Sequence, residues 1–378
     1  MTDGVLVNEL EEIAPGGGQD KVYVATQWQL MWWKFRRHKM AIVGGFILIG
    51  LYLITIFCEF LAPYDPHRYD VKFAYAQPQR VHFYGQNGLG LYAYGLVGHR
   101  DPESLRMVFE VDRSVEVPLR FLVQGDPYKL WGLIPGTLHL FGAASNDQVV
   151  FVLGADRLGR DLLSRLLVGT RVSMTIGLVG VLMSMVFGIL IGGSSGYFSG
   201  VYDTVVQRII EFIRSIPSIP LWMALSAAVP KDWPPVRVYF SITIILSFIS
   251  WTGLARVVRG KFLSLREEDF VMSARLVGSS EFRIIVRHMV PSFLSHIIAS
   301  LTLSIPGMIL SETSLSFLGL GIRPPAISWG VLLQDAQNLR SVALAPWLLI
   351  PGIAVVLAVL AYNFLGDGLR DAADPYSR

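Results

Sequence analysis

Six stretches of roughly 20 residues, nearly free of charge, decide what this chain can become. They are Met40–Ala62, Val172–Gly193, Ile209–Ala228, Tyr239–Val258, Phe293–Leu310 and Trp347–Leu365. About 20 apolar residues cross the hydrocarbon of a bilayer as a helix. Backbone polar groups find no water there, so each crossing must bond internally. The expectation is an all-α integral membrane protein with six transmembrane helices. Composition agrees, with 52% hydrophobic and 16% charged residues in a chain of 378, where soluble domains carry about 25% charged. Ile209–Ala228 is the least regular stretch, because it holds Arg214, Pro217 and Pro220. A net charge of +3 gives no reason to expect a nucleic-acid partner. The one cysteine, Cys58, excludes an intramolecular disulfide framework and a cysteine-rich metal site. No metal ligand set is expected. Cys58 lies in the first apolar run, where inert packing is its expected role. That run is too long for a secretory h-region of about 7–15 residues. Phe57 stands where a lipoprotein would need a small residue before the cysteine.

Orientation follows from the basic residues of the short segments. Lys34, Arg36, Arg37 and Lys39 precede the first span, and Arg256, Arg259, Lys261, Arg266, Arg275, Arg283 and Arg287 separate the fourth from the fifth. With both groups in the cytoplasm, six crossings put both termini there. Arg370 and Arg378 agree, offset by Asp367, Asp371 and Asp374. The organisation is then a cytoplasmic tail 1–39, a first span 40–62, an extracytoplasmic insert 63–165, a core 166–369 with the other five spans and a cytoplasmic loop 259–291, and a cytoplasmic tail 370–378. Residues Met1–Asp20, with Gly16-Gly17-Gly18, are expected to be disordered. The insert alternates like strands at Val81–Tyr84, Met107–Val111 and Arg120–Val123, with turn signals at Gln86-Asn87-Gly88 and Gly125-Asp126-Pro127. A small β-rich domain is expected there. Its role is open between a cap over the outer mouth and a dock for a delivery protein. The amphipathic run Leu162–Leu167 is expected to lie at the outer interface.

Small residues recur every fourth position at Gly180, Ser184, Gly188, Gly192, Gly196 and Gly200. This puts them on one helix face, where two backbones can approach closely. The face serves either ordinary packing or a surface that slides during gating. Arg208, Glu211 and Arg214 recur every third residue and can pair with one another. They form either a cytoplasmic extension of the helix or part of the lining of an inner pathway. Glu312 poses the same question. It either caps a run Thr313–Leu318 or faces a channel. His296 is expected to be packed or interfacial.

The segment from Glu267 to Pro291 is the most informative. Glu267, Glu268 and Asp269 suit a helix N-terminus, Phe270, Ala274 and Val277 can share a face, and Gly278 is a natural stop. A second helical stretch, Glu281–Met289, leads to the next span. A short helix held off the membrane between two spans is either a plain linker or a lever that a soluble partner can grip.

Ala274, three residues, Gly278 and the gap to Pro291 resemble the coupling motif of ABC importer permeases. That motif runs Glu-Ala-Ala, three residues, Gly, nine residues, Ile, one residue, Leu-Pro. Met272 and Ser273 stand at its first two positions, His288 at the Ile and Val290 at the Leu. Leu158–Arg165, Ser314–Gly321, Pro346-Trp347, Asn363–Asp371 and the opening Trp33–Pro66 resemble the oligopeptide and dipeptide branch of that family. The likeness covers most of the chain except about Arg68–Gln148. It implies the type I ABC importer permease fold, a bacterial inner-membrane location, and the C-type subunit of a peptide importer. Implied partners are a second, homologous permease, two ATP-binding subunits that carry ATP and magnesium, and an extracytoplasmic substrate-binding protein. This chain would bind no cofactor. The helix matching Ser273–Gly278 would dock on the ATPase, with Glu268, Met272, Ser273, Ala274, Arg275, Gly278 and Pro291 as its coupling residues. Gly188, Gly192 and Gly196 would pack helices, and Arg208, Glu211 and Glu312 are candidates for lining the pathway. The branch also moves oligosaccharides and other small solutes. No Walker sequence occurs, so ATP hydrolysis belongs to another chain. A membrane enzyme would need converging catalytic side chains within the spans. A secondary transporter often shows inverted repeats, which the two halves lack.

Overall fold

The computed structural model describes residues 27–85, 88–102, 107–145, 148–230 and 232–373. The expected tail Met1–Asp20, the turn residues Gln86 and Asn87, and Asp374 and Arg378 lie outside them. A short helix, α1 (Gln27–Arg37), leads through His38 into α2 (Lys39–Leu61), the first span. His38 caps it, its ring accepting from the Ala41 amide at 3.1 Å.

Four strands follow, β1 (His82–Gly85), β2 (Gly88–Arg100), β3 (Met107–Leu130) and β4 (Ile134–Ala143), in an antiparallel meander of that order. The stretch Gly125-Asp126-Pro127 is not the expected turn. It lies inside β3, where the register against β4 shifts between Gln124 and Tyr128. Pro127 has no amide to donate, and a bulge is where a strand tolerates that loss. The bulge does structural work. The Asp126 carboxylate accepts from the Asp65 amide at 3.0 Å, and the His139 ring lies 2.9 Å from the Asp126 carbonyl and 2.5 Å from the Ala62 carbonyl. The sheet is thereby fastened to the end of α2.

The chain returns through α3 (Leu162–Phe198), capped by Asp161, whose carboxylate accepts from the Ser164 amide at 2.7 Å. The run Leu162–Leu167 is the first turn and a half of this helix, not a separate interfacial element. Next come α4 (Gly200–Ser215) and α5 (Ser218–Ala227), bent by 84° at their junction. The expected span Ile209–Ala228 is therefore broken. Pro217 pushes the residue before it out of the helical region, and Ile216 is extended at φ −85°, ψ 128°. Then follow α6 (Pro235–Leu265), α7 (Asp269–Leu276), a wide-turned helical segment 281–292, α8 (Leu294–Phe317), the short α9 (Trp329–Gln334) and α10 (Leu339–Leu344), and α11 (Ile350–Ala373).

Among the described residues five helices are long and apolar enough to cross a membrane, and the bent pair makes six if it is one crossing. Packing decides that it is. Along α3, Ser184 faces Ser247, Gly188 faces Leu254, Gly192 faces Ala255 and Gly196 faces Arg259. Rising numbers meet rising numbers, so α3 and α6 run parallel. The chain must recross between them, and only α4–α5 is available. By contrast α2 and α11 are antiparallel, with Gly44 against Ala361 and Gly368 against Ala41. The first span begins and the last ends on one face, where His38 and Asp371 stand 3.8 Å apart. The main core gathers residues from α2, α3, α6, α8, α9 and α11, with Trp329 fully buried at its centre.

Candidate functional site

Two parallel helices, α3 and α6, end on the same face, and α7 lies across their ends. Its packing face is Val271, fully buried, with half-buried Ala274 one turn on. They close a cluster with Tyr197 from α3, Val258 and Phe262 from α6, Ile284, Ile285 and Met289 from the 281–292 segment, and Phe293 and Ile297 beyond it. Of the face expected from the sequence, Phe270–Ala274–Val277, only Ala274 packs inward, beside Val271, and Phe270 and Val277 are exposed.

The outward side is apolar. Leu276 is 88% exposed and Val277 84%, and Phe270 and Met272 are also exposed. In an eight-residue helix such a patch marks an interaction surface. Glu268 is the N-cap, its carbonyl accepting from Val271 and Met272, with Asp269 in the first turn where the dipole favours an acid. Ser273 is exposed.

The C-terminus is held by a Schellman turn. The Ser279 amide donates to the Ala274 carbonyl at 3.0 Å and the Gly278 amide to the Arg275 carbonyl at 2.9 Å. Gly278 adopts φ +78°, and a Cβ there would meet nothing within 4 Å. Glycine is needed for its backbone, not for space. Gly278→Ala is expected to destabilise this turn by about 1–2 kcal/mol. Amide exchange at Val277–Ser279 should speed up while the spans stay protected. Unchanged exchange there would show that the left-handed turn is unimportant.

Arg275 is exposed but reaches back to α3. Its Nε donates to the Tyr197 hydroxyl at 3.2 Å and its guanidinium sits 4.9 Å from the ring centroid. It pins α7 to the end of α3. Pro291 follows π-helical turns over Ile284–Met289, with the Val290 amide reaching five residues back to Ile285. A wide turn frees the ring from the clash it would cause in a regular helix.

A second link holds the same face. Arg259 on α6 donates from Nε and Nη2 to the two Asp203 oxygens on α4, each at 2.5 Å. A bidentate guanidinium–carboxylate pair fixes orientation as well as distance. Neither residue stood out as a pair in the sequence, where they are 56 apart. Beside it Arg208 pairs with Glu211 at 2.7 Å. With Arg256 they line a cavity of about 330 Å³ between α4 and α6. Arg214 reaches instead toward Gly253.

The small-residue ladder is the α3–α6 seam. A Cβ on Gly192 would stand 2.3 Å from the Ala255 carbonyl oxygen, one on Gly196 2.7 Å from that of Arg259, and one on Gly188 2.9 Å from Leu254. The Ser247 hydroxyl donates to the Gly180 carbonyl at 3.0 Å across the same seam. Gly200 falls outside it, past the helix end at φ +65°.

Glu312 is placed differently from either expectation. It neither caps a new run nor faces an opening, because α8 continues unbroken to Phe317 and the residue is fully buried. The hydroxyls of Ser316 and Ser328 donate to Oε1, each at 2.7 Å, and that of Ser173 to Oε2 at 3.2 Å. It ties α3, α8 and the start of α9 together.

Comparison with known proteins points the same way. Residues 184–378 match the family of binding-protein-dependent transport system inner membrane components. Residues 26–78 match the N-terminal transmembrane domain of oligopeptide transport permease C. The chain is 31% identical over 353 residues to the glutathione transport system permease protein GsiD of Pectobacterium atrosepticum, covering 93% of this chain and 92% of that one. It is 32% identical over 345 residues to the dipeptide transport system permease protein DppC of Lactococcus lactis subsp. cremoris, covering 91% and 89%. It is 38% identical over 241 residues to the oligopeptide transport system permease protein OppC of Haemophilus influenzae, covering 64% and 75%.

Proposed function

This chain belongs to the family of binding-protein-dependent transport system inner membrane components, multi-pass permeases of ABC importers, and on that footing we propose that it forms one half of the translocation path for a peptide or peptide-like solute and takes its driving force through α7. It is a transport subunit and not an enzyme. Its spans pair with those of a second, homologous permease. Two ATPase subunits, which carry the ATP and magnesium, bind on the face that bears α7, and a binding protein delivers solute to the opposite face. The α7 face is cytoplasmic, because it carries Arg256, Arg259, Lys261, Arg275, Arg283 and Arg287 in short segments.

The observation that carries this reading is the two-sidedness of α7. One side is welded by Val271, Ala274 and Arg275 to the ends of α3, α6 and the 281–292 segment, and the other presents Phe270, Met272, Leu276 and Val277. Closure of the ATPases would move α7 as a rigid piece, and the attached span ends would follow. A ligand shifts such an equilibrium only as far as its contacts differ between the two states. The outward face of α7 is where those contacts differ, and the tie of Arg275 to Tyr197 passes the movement on. Glu268 and Pro291 set the two ends of the moving unit. Arg208 and Glu211, with their cavity on the same face, belong to the inner mouth.

The test is co-purification of the ATPase subunits with the double variant Leu276→Asp, Val277→Asp. Both positions are exposed, so the permease should fold as before. Loss of two apolar contacts of about 1.5–3 kcal/mol each predicts at least a hundredfold weaker association. Undiminished ATPase recovery with normal transport would remove α7 as the docking element.

A further inference from the structure

The insert does not stand clear of the membrane-spanning part. Its β3–β4 hairpin runs back down the side of α2. The base of the hairpin is fixed at the helix end, where the His139 ring meets the Ala62 carbonyl at 2.5 Å. The tip is fixed lower, where the Trp131 Nε1 donates to the Ile56 carbonyl at 3.1 Å. Six residues separate those carbonyls, up to about 9 Å along the axis at 1.5 Å per residue, with the helical geometry interrupted between them at Phe57 (φ −109°, ψ 21°). The tip therefore sits beside α2 short of that helix's end.

We propose that the β3–β4 hairpin is a membrane anchor whose tip, Trp131, Leu133 and Ile134, enters the lipid of the leaflet on the insert side. The proposal rests on α2 being a membrane span.

Three observations select lipid as the occupant. First, the tip is apolar and uncovered, with Leu133 82% exposed, Ile134 62% and Trp131 49%. It is continuous with the exposed Ile56 and Phe57 of α2. Second, the turn satisfies its own backbone. The Gly132 amide donates to the Lys129 carbonyl at 3.0 Å and that of Leu133 to the Leu130 carbonyl at 3.1 Å. Non-helical backbone at membrane depth needs such internal partners. Third, the charge that would forbid entry is already neutralised. Arg171 of α3 pairs bidentately with Glu59 of α2, and its guanidinium lies 4.2 Å from the centre of the Trp131 ring. Above the tip stand Tyr128 and Lys129, residue types that favour the headgroup level. Trp131 itself holds φ +54°, a left-handed conformation that costs an aromatic residue energy. That conformation swings the indole onto α2 and leaves Leu133 pointing away from protein.

The test uses fluorescence depth quenching in the assembled importer in lipid nanodiscs. Cys58 is fully buried, so bimane on Leu133→Cys labels one site. Reference labels go on exposed positions of two spans, Ile49→Cys on α2 and Val356→Cys on α11. Nitroxide carried on a shallow acyl carbon of the lipid should quench the Leu133 label strongly, and aqueous iodide should not. Quenching by iodide, or by neither probe because protein covers the tip, would overturn the anchor while the reference labels still report lipid. No lipid quenching at any of the three sites would overturn the span assignment along with it.

Discussion

Gly192→Ala is expected to lower the thermal midpoint and the folded yield of the purified permease, whereas Gly260→Ala is expected to leave both unchanged or raise them. The two substitutions add the same methyl group to the paired helices α3 and α6. An alanine in place of glycine favours a helix by about 1 kcal/mol where nothing opposes it. Nothing stands within 4 Å of a Cβ on Gly260, so that gain is free to appear. On Gly192 the new atom would meet backbone, 2.3 Å from the Ala255 oxygen and 2.7 Å from the Ala255 Cα. A backbone atom cannot rotate away as a side chain can. The helices must part, and the neighbouring contacts of Gly188 and Gly196 along the seam part with them. Overpacking of this kind costs about 1–3 kcal/mol. The opposite sign of the two effects is the diagnostic, readable by thermal unfolding in detergent. Equal effects would show that the seam is not the tight contact described.

Glu312→Ala is expected to be the more damaging of two substitutions at that position, with Glu312→Gln retaining most of the stability. The carboxyl group accepts from three serine hydroxyls in the centre of the fold, and all three of those oxygens accept in turn, Ser173 from the Trp329 amide at 3.1 Å, Ser316 from that of Ile322 at 3.0 Å and Ser328 from that of Val331 at 3.2 Å. Alanine removes the hub and leaves the donors around an empty space. Each buried polar group so stranded costs about 1–3 kcal/mol. Glutamine keeps an acceptor oxygen for Ser316 and Ser328, and its amide can donate to Ser173. Thermal midpoints of both variants, measured with the same detergent and lipid, separate the cases. An alanine variant as stable as the glutamine one would mean that the hydroxyls find other partners. The position would then lose its role as the tie among α3, α8 and α9.

Much of this was readable beforehand from particular residues. Five of the six expected stretches fall on long helices, but only Met40–Ala62 matches at both ends; α3 begins ten residues before Val172, and α8 and α11 end seven and eight residues beyond Leu310 and Leu365, because a helix continues past the apolar length that marks it. Gly278 was legible as a helix stop because its requirement is local. The break at Ile216–Pro217 was signalled by its prolines, but its angle was not. The expected turn at Gly125–Pro127 became a bulge, because turn residues suit either feature and the partner strand chooses between them.

The sequence by itself determined that the chain enters a membrane and which short polar segment lies between the basic flanks. These depend on transfer of side chains from water and on local backbone preference. Tertiary structure alone decided that α3 and α6 run parallel, and that Val271 rather than Phe270 or Val277 faces the cluster beneath α7. It also brought Arg275 to Tyr197, Arg259 to Asp203 and Trp131 to α2. Each of those pairs joins residues far apart in the chain, and the energy that joins them exists only once two helices, or a helix and a hairpin, have met.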